Sequence, residues 1–361
     1  MITIIIAILV LGFLIFVHEF GHFITAKASG MRVEEFSIGM GPHVWEATKG
    51  DTLYSLRAFP FGGYVRVTGE AYTDDEESET IGEVLEADDP RRYPNRPIWQ
   101  RFVFCLAGSG MNYLTALLLF TLTICSLGLV DQEAVLDNQV SIVSPGGAAE
   151  EAGIKEGDRI VKVGEAAVNT WDEMTKALAE QADGGAMEIT IERDGERLTV
   201  NLTPQYDESR QGYLLGVSKT YPRRDVGLGE GLSLGFQQTV DVSKTLLEAV
   251  GKLVSGEVSV TDDEEGLTGP VGIVMIIDEF AQEGFWYLVS LTAMLSLNLA
   301  VFNLLPIPGL DGSKILFLLI EAIRGRKVAP EKENIINLIG FAFIMGLVLF
   351  VTYNDILRLF E

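Results

Sequence analysis

Two residue types are scarce in this chain: 361 residues hold three histidines and two cysteines. Cys105 and Cys125 fall in one apolar stretch read as a helix. Twenty residues of helix span about 30 Å, so these thiols cannot pair with each other. Basic residues are also short, 27 against 51 acidic, and the net charge of −24 argues against a nucleic-acid partner. Two acidic runs contain no basic residue at all, DDEESETIGEVLEADD at 74–89 and DDEE at 262–265, the composition of solvated loops. Charge of either sign is missing from residues 1–17, and the first basic residue is Lys27. Without a positive n-region, 1–28 does not read as a cleaved secretory signal, despite the small residues Ala26 and Ala28.

What is present is apolar: 48% hydrophobic beside 22% charged, with a mean hydropathy of +0.26. The apolar residues must therefore be gathered into spans. Stretches 2–28, 102–130, 285–305 and 335–353 each have the length to cross a bilayer. Lys27 and Arg32 follow the first. Arg91, Arg92, Arg96 and Arg101 precede the second, and Asp131 and Glu133 follow it. Arg324, Arg326, Lys327 and Lys332 precede the fourth. By the positive-inside rule both termini and 131–284 are extracytoplasmic, while 29–101 and 312–334 are cytoplasmic.

Two of the three histidines lie in the first span, in VHEFGHF at 17–23. His18 and His22 share a helix face. Two imidazoles so placed can grip one Zn²⁺, and Glu19 can act as general base on its water. Two His and a Glu in lipid are costly without a role. A catalytic zinc takes three protein ligands. His43, in the cytoplasmic stretch GMGPHVWE, reads as ordinary, and Asp311 in SLNLAVFNLLPIPGLDGSK (296–314) is the better candidate. Pro306 and Pro308 break the third span, and freed backbone groups are tolerated only beside a cavity or protein interior. The third span enters from outside, so Asp311 emerges at the depth of His18 and His22. Asn298, Asn303 and Asn112 are polar at depth and are candidate substrate contacts, with helix–helix hydrogen bonding the alternative for Asn112.

Outside the spans, TLYSLRAFPFGGYVRVTGE at 52–70 reads as a β-hairpin. Its strands flank a Gly62-Gly63 turn, and the apolar tip Phe59-Pro60-Phe61 suits the membrane interface. The outer segment predicts a strand at 140–143, an amphipathic helix at 171–181, and strands 187–193 and 197–202 joined by Asp194-Gly195. Residues 226–258 predict an amphipathic helix on the outer leaflet.

PGGAAEEAGIKEGDRI resembles the turn–helix–GD pattern of PDZ domains, placing one such domain at 138–220. GYLLGVS at 212–218 looks like the carboxylate-binding loop in permuted order. That makes Gly212, Tyr213, Leu214, Leu215 and Gly216 a groove for peptide C-termini. With HEFGH, AGSGMN, GPVGI, NLLPIPGLDG and the YNDILRL ending, nearly the whole chain resembles the site-2 protease family of intramembrane zinc metalloproteases, in the subgroup of the bacterial regulator of sigma-E protease. The fold class implied is a polytopic α-helical membrane protein of about four transmembrane helices, with a cytoplasmic-side membrane-associated β-hairpin and one extracytoplasmic PDZ domain. The resemblance implies Zn²⁺ on His18, His22 and Asp311, Glu19 as general base, Asn298 and Asn303 near the substrate, and Gly62-Gly63 in the family's β-loop. It further implies the bacterial cytoplasmic membrane and regulated intramembrane proteolysis in a stress response. The substrates would be single-pass proteins, such as an anti-sigma factor after a first cut, or signal-peptide remnants. A PDZ-bearing scaffold with an inactive core is the alternative. Two departures stand out: Ser313 and Lys314 replace a second Gly and a His or Arg, and there is one PDZ copy where the best-known members carry two.

Overall fold

An uncharged apolar run with no water around it must satisfy its backbone internally, and helix α1 covers Ile2–Ala28 without a break. The computed structural model describes residues 2–70, 85–130, 138–207, 212–220, 223–258 and 268–358. The acidic runs at 74–84 and 262–265, with Asp131 and Glu133, lie outside the described residues. The chain divides into two units, Met1–Ser126 with Gly227–Glu361, and Leu127–Val226. In the first unit, α1 leaves Ile2, Ile4, Ile5, Leu9 and Phe13 exposed, a surface suited to lipid.

Strands β1 (Val33–Lys49) and β2 (Thr52–Val67) follow. The tight connection is at Gly50-Asp51, so the hairpin expected within 52–70 is corrected. Its second strand partner lies upstream, and Gly62-Gly63 is a bend inside β2. Both strands are long enough to bend, and each contributes two segments. Residues 43–49 pair with 52–57 across the turn. Residues 33–38 lie between two parts of β2, with Phe36 beside both Tyr54 and Val65. The sheet is thus wider than a hairpin, and 63–67 forms an edge with one strand neighbour. Buried Glu35 ties the segments together, accepting from Ser55, Arg57 and Tyr64 at 2.7 Å each. Phe59 is exposed; the side chains of Pro60 and Phe61 lie outside the described residues. Helix α2 (Ile98–Leu127) then packs on α1. A Cβ at Gly21 would sit 2.4 Å from the Ala107 carbonyl oxygen, so only glycine allows this approach.

The second unit holds β3 (Arg159–Val163), β4 (Ala166–Ala167), helix α3 (Trp171–Gln181), β5 (Met187–Arg193) and β6 (Glu196–Leu202), in the sheet order β4-β3-β5-β6. Asp194 and Gly195 carry φ of 52° and 83°, the left-handed pair that a two-residue hairpin requires. Ile160, Ile189, Ile191, Met174 and Leu178 form its core. Asp158, from the GD pattern, is buried and bonded to Arg193 at 2.6 and 2.7 Å. Burial pushes its carboxyl upward, but Arg193 and the Lys155 amide outweigh that and hold it below the usual range.

The first unit resumes with α4 (Leu228–Ser255), α5 (Pro270–Glu283), α6 (Phe285–Leu304), α7 (Asp311–Arg324) and α8 (Pro330–Arg358). Among the described residues, four helices, α1, α2, α6 and α8, are long and apolar enough to cross a membrane. The pattern reading placed no helix at α5 or α7. Helix α4 does not simply lie on a surface: Gly235 meets Thr121, and Val242 and Leu246 pack on Ala116, Phe120, Ala293 and Leu297. Its Leu228, Leu232, Phe236 and Leu247 remain exposed.

The GPVGI and YNDILRL motifs meet here. Gly269, the N-cap of α5, has no side chain to offer its helix. Asp355 of α8 supplies the acceptor instead, taking the Gly269 and Gly272 amides at 3.2 and 2.8 Å. A carboxylate suits a helix N-terminus. Replacing Asp355→Ala strands those amides in a buried place, and a loss of about 1–3 kcal/mol is expected, read as a lower unfolding midpoint in detergent. An unchanged midpoint would mean that α8 is held elsewhere.

Candidate metal centre

Helices α1 and α2 meet with their residue order reversed, and one turn of α1 answers to two turns of α2. His22 on α1 faces Phe104 on α2, and His18 faces Asn112. Gly108 lies midway between Phe104 and Asn112 in the sequence of α2. A Cβ there would fall 2.2 Å from His22 Nε2 and 2.7 Å from His18 Nε2. The two rings therefore rest on bare backbone. His22 Nδ1 donates to the Phe104 carbonyl at 2.8 Å, whose second lone pair is free for it. That leaves the Nε2 lone pair aimed into the site.

Asp311 arrives from a different direction. Helix α6 ends at Leu304, the PIPGL stretch runs unwound, and Asp311 opens α7. Gly312 makes this return possible, since a Cβ there would meet the Leu305 and Leu304 carbonyl oxygens at 2.2 and 2.4 Å. Asn337 of α8 accepts from the Gly309 amide and the Ser313 hydroxyl, both at 3.3 Å, so it braces the loop on both sides of Asp311. Lys314 pairs with Glu70 at 2.6 Å, joining α7 to the chain just past β2.

The result is a small triangle. His18 Nε2 and His22 Nε2 are 3.2 Å apart, and Asp311 Oδ2 lies 3.1 and 3.2 Å from them. Among the described residues, this is the cluster of His, Cys, Asp and Glu able to hold a metal ion. In a tetrahedral zinc site with bonds of about 2.0–2.1 Å, neighbouring ligand atoms lie about 3.3 Å apart. The donor set and its size therefore fit one zinc ion. The same spacing would suit plain hydrogen bonds. Yet a carboxylate facing two imidazole nitrogens needs a cation or a ring proton between them.

Glu19 follows His18 on α1 and is half-buried. The sheet edge comes to it: a Cβ at Gly63 would be 3.1 Å from Glu19 Cγ and 3.2 Å from Ile15. Gly62, next to it, has φ of 81°. His43 is outside the cluster, paired with Glu46 at 2.7 Å. Asn298 keeps a buried Oδ1 without a hydrogen-bond partner, and Asn303 is half-buried near the end of α6. In the other unit, Leu214 and Gly216 line a cleft of about 460 Å³ with Ser144, Gly147 and Tyr206. Tyr213 packs edge-on against Tyr206, and Leu215 turns into the core. Gly108, the Phe104 carbonyl and Asn337 were not singled out from the sequence. A signal existed only for Gly108, one helical turn before Asn112 in AGSGMN.

The model of peptidase family M50 matches residues 6–347. The Bacillus subtilis regulator of sigma-W protease RasP is 31% identical, covering 99% of both chains. The zinc metalloprotease RasP of Oceanobacillus iheyensis is also 31% identical, covering 100% of both. A Clostridium acetobutylicum protein, named as a zinc metalloprotease, is 36% identical over 98% of this chain and 97% of its own.

Gly108 supplies a test of the centre. With Gly108→Ala, metal retained through purification should fall on the order of tenfold or more, because the methyl group occupies ring space. Gly110→Ala, where no atom lies within 4 Å of the added carbon, should keep wild-type zinc by elemental mass spectrometry. Equal zinc in both variants would move the metal away from these rings.

Proposed function

The chain belongs to peptidase family M50 and is a metalloprotease; from that premise we propose that it hydrolyses a peptide bond within or at the edge of a substrate's transmembrane helix. The observation that carries this reading is the donor triangle of His18, His22 and Asp311, set on apolar helices with Glu19 and a sheet edge beside it. His18, His22 and Asp311 hold Zn²⁺. Zinc held there would supply Lewis-acid activation of the scissile carbonyl and of a water. Glu19 receives the water's proton on a carboxylate oxygen and delivers it to the departing amide nitrogen. A helical substrate hides its amides, so it must unwind to be cut. The 63–67 edge, with Gly62 and Gly63 leading into it, can hold the unwound stretch by strand addition. Asn298 and Asn303 bond its backbone from α6.

The charge pattern supports both termini and the 127–226 unit lying outside the bacterial cytoplasmic membrane, with the ligands toward the cytoplasm. Substrates in this reading are single-pass membrane proteins, anti-sigma-factor-like after a first cut, or signal-peptide remnants. The outer unit is a PDZ domain that admits trimmed substrates by size and does no chemistry.

Glu19→Gln should retain zinc and lose 10²–10⁴-fold in turnover, roughly the range of general-base catalysis, on a reporter transmembrane segment with purified protein. Wild-type cleavage by that variant would end the mechanism. Val65→Pro removes a donor from the edge strand and should lose cleavage with zinc unchanged. Deleting about 140–218 should let untrimmed, large-domain substrates be cut. If the deletion leaves them intact and slows only trimmed ones, the domain recruits instead of filtering.

A further inference from the structure

The contact between Asn112 and His18 is not used by the reading above. Asn112 is fully buried at the α1–α2 interface. Its amide nitrogen lies 3.3 Å from His18 Nδ1, and its Oδ1 is buried without a hydrogen-bond partner. The Ser296 hydroxyl of α6 donates to the Asn112 backbone carbonyl at 2.9 Å, fixing this turn of α2 from a third helix.

We propose that Asn112 is a positioning residue that accepts the His18 Nδ1–H through its side-chain oxygen, and so presents the His18 Nε2 lone pair to the metal. This rests on the ligand set proposed above. A ligating imidazole nitrogen must be unprotonated. His18 turns Nε2 toward His22 and Asp311, so its proton belongs on Nδ1 and needs an acceptor. The amide nitrogen cannot accept. Oxygen and nitrogen of an amide exchange places on a half-turn and are assigned by their hydrogen bonds. The half-turn puts the unpartnered oxygen on the Nδ1 proton. One amide atom lacks a partner in either orientation, so the proton on His18 decides.

His22 meets the same need differently, with the Phe104 carbonyl as acceptor. Eight residues along α2, the backbone carbonyl gives way to a side chain. The two ligands are thus oriented from one helix, one by main chain and one by Asn112. Mutation at Phe104 leaves the first in place, whereas the second can be removed.

The test uses the full-length protein in detergent and Zn²⁺ alone, with affinity measured by competition against a chelator. Asn112→Leu keeps the size and removes the acceptor; Asn112→Ser is too short to reach the ring. Both should bind zinc roughly 10–100-fold more weakly, the usual cost of losing an outer partner. Asn112→Asp restores an acceptor oxygen and should bind within a few-fold of wild type. Unfolding midpoints of the metal-free proteins report on the fold, and Asn112→Ser remains readable if the Leu variant misfolds. Wild-type affinity in the Leu and Ser variants would overturn the assignment and return Asn112 to helix packing or substrate contact. An Asp variant as weak as the others would overturn it too, since packing and not the acceptor would then matter. His22→Ala in the same titration reports on the centre itself. If it binds as tightly as wild type, the ligand set is wrong and the role of Asn112 falls with it.

Discussion

Two imidazoles, a glutamate and an aspartate in an apolar helix bundle each lose the water that would stabilise their charge or dipoles. The fold compensates by pressing one turn of α1 onto the stretch 104–112 of α2. Gly21 and Gly108 bring α1 and α2 together until the Nε2 edges of the rings lie on backbone. At that distance Phe104 and Asn112 come within hydrogen-bonding range of the ring nitrogens turned away from the site. The remaining nitrogens converge on Asp311. A wider helix separation would leave each polar group buried and unpaired.

The carboxylate has to reach that point from a helix that runs past it. The break after Leu304 and the restart at Asp311 solve this, with Gly312 folding the new helix back against the end of the old one. Backbone groups freed by two prolines would be expensive in a membrane. Asn337 takes one of them and the neighbouring Ser313 hydroxyl, while Asp355 at the far end of α8 caps α5. A mostly exposed last helix is thus held at a few polar points, and those points bear on the loop that carries Asp311.

The sheet answers a different requirement. Its edge meets α1 at Gly63, where the absence of a side chain lets backbone lie against Glu19. Glu35 locks the bent strands from within. A sheet edge beside Glu19 is what the proposed unwound substrate would need, and long bent strands deliver it without a further element.

Read alone, the sequence already carries the four long apolar helices, the HExxH and its helix face, and the helix and hairpin of the second unit. Each depends on composition or on a period within one segment. Asp311 was legible because proline chemistry and matched depth point to it. The sheet was misread as a hairpin at 52–70, because the partner of 63–67 is the upstream stretch 33–38, and non-local pairing leaves no local pattern. Helices α5 and α7 were missed for a related reason: short amphipathic helices between spans are overshadowed by the runs beside them. Packing alone reveals that Gly108 must be bare, that Asn112 faces His18, and that Asn337 and Asp355 hold distant loops. These roles depend on which turn of one helix meets which turn of another, and that register is set by packing of the whole bundle.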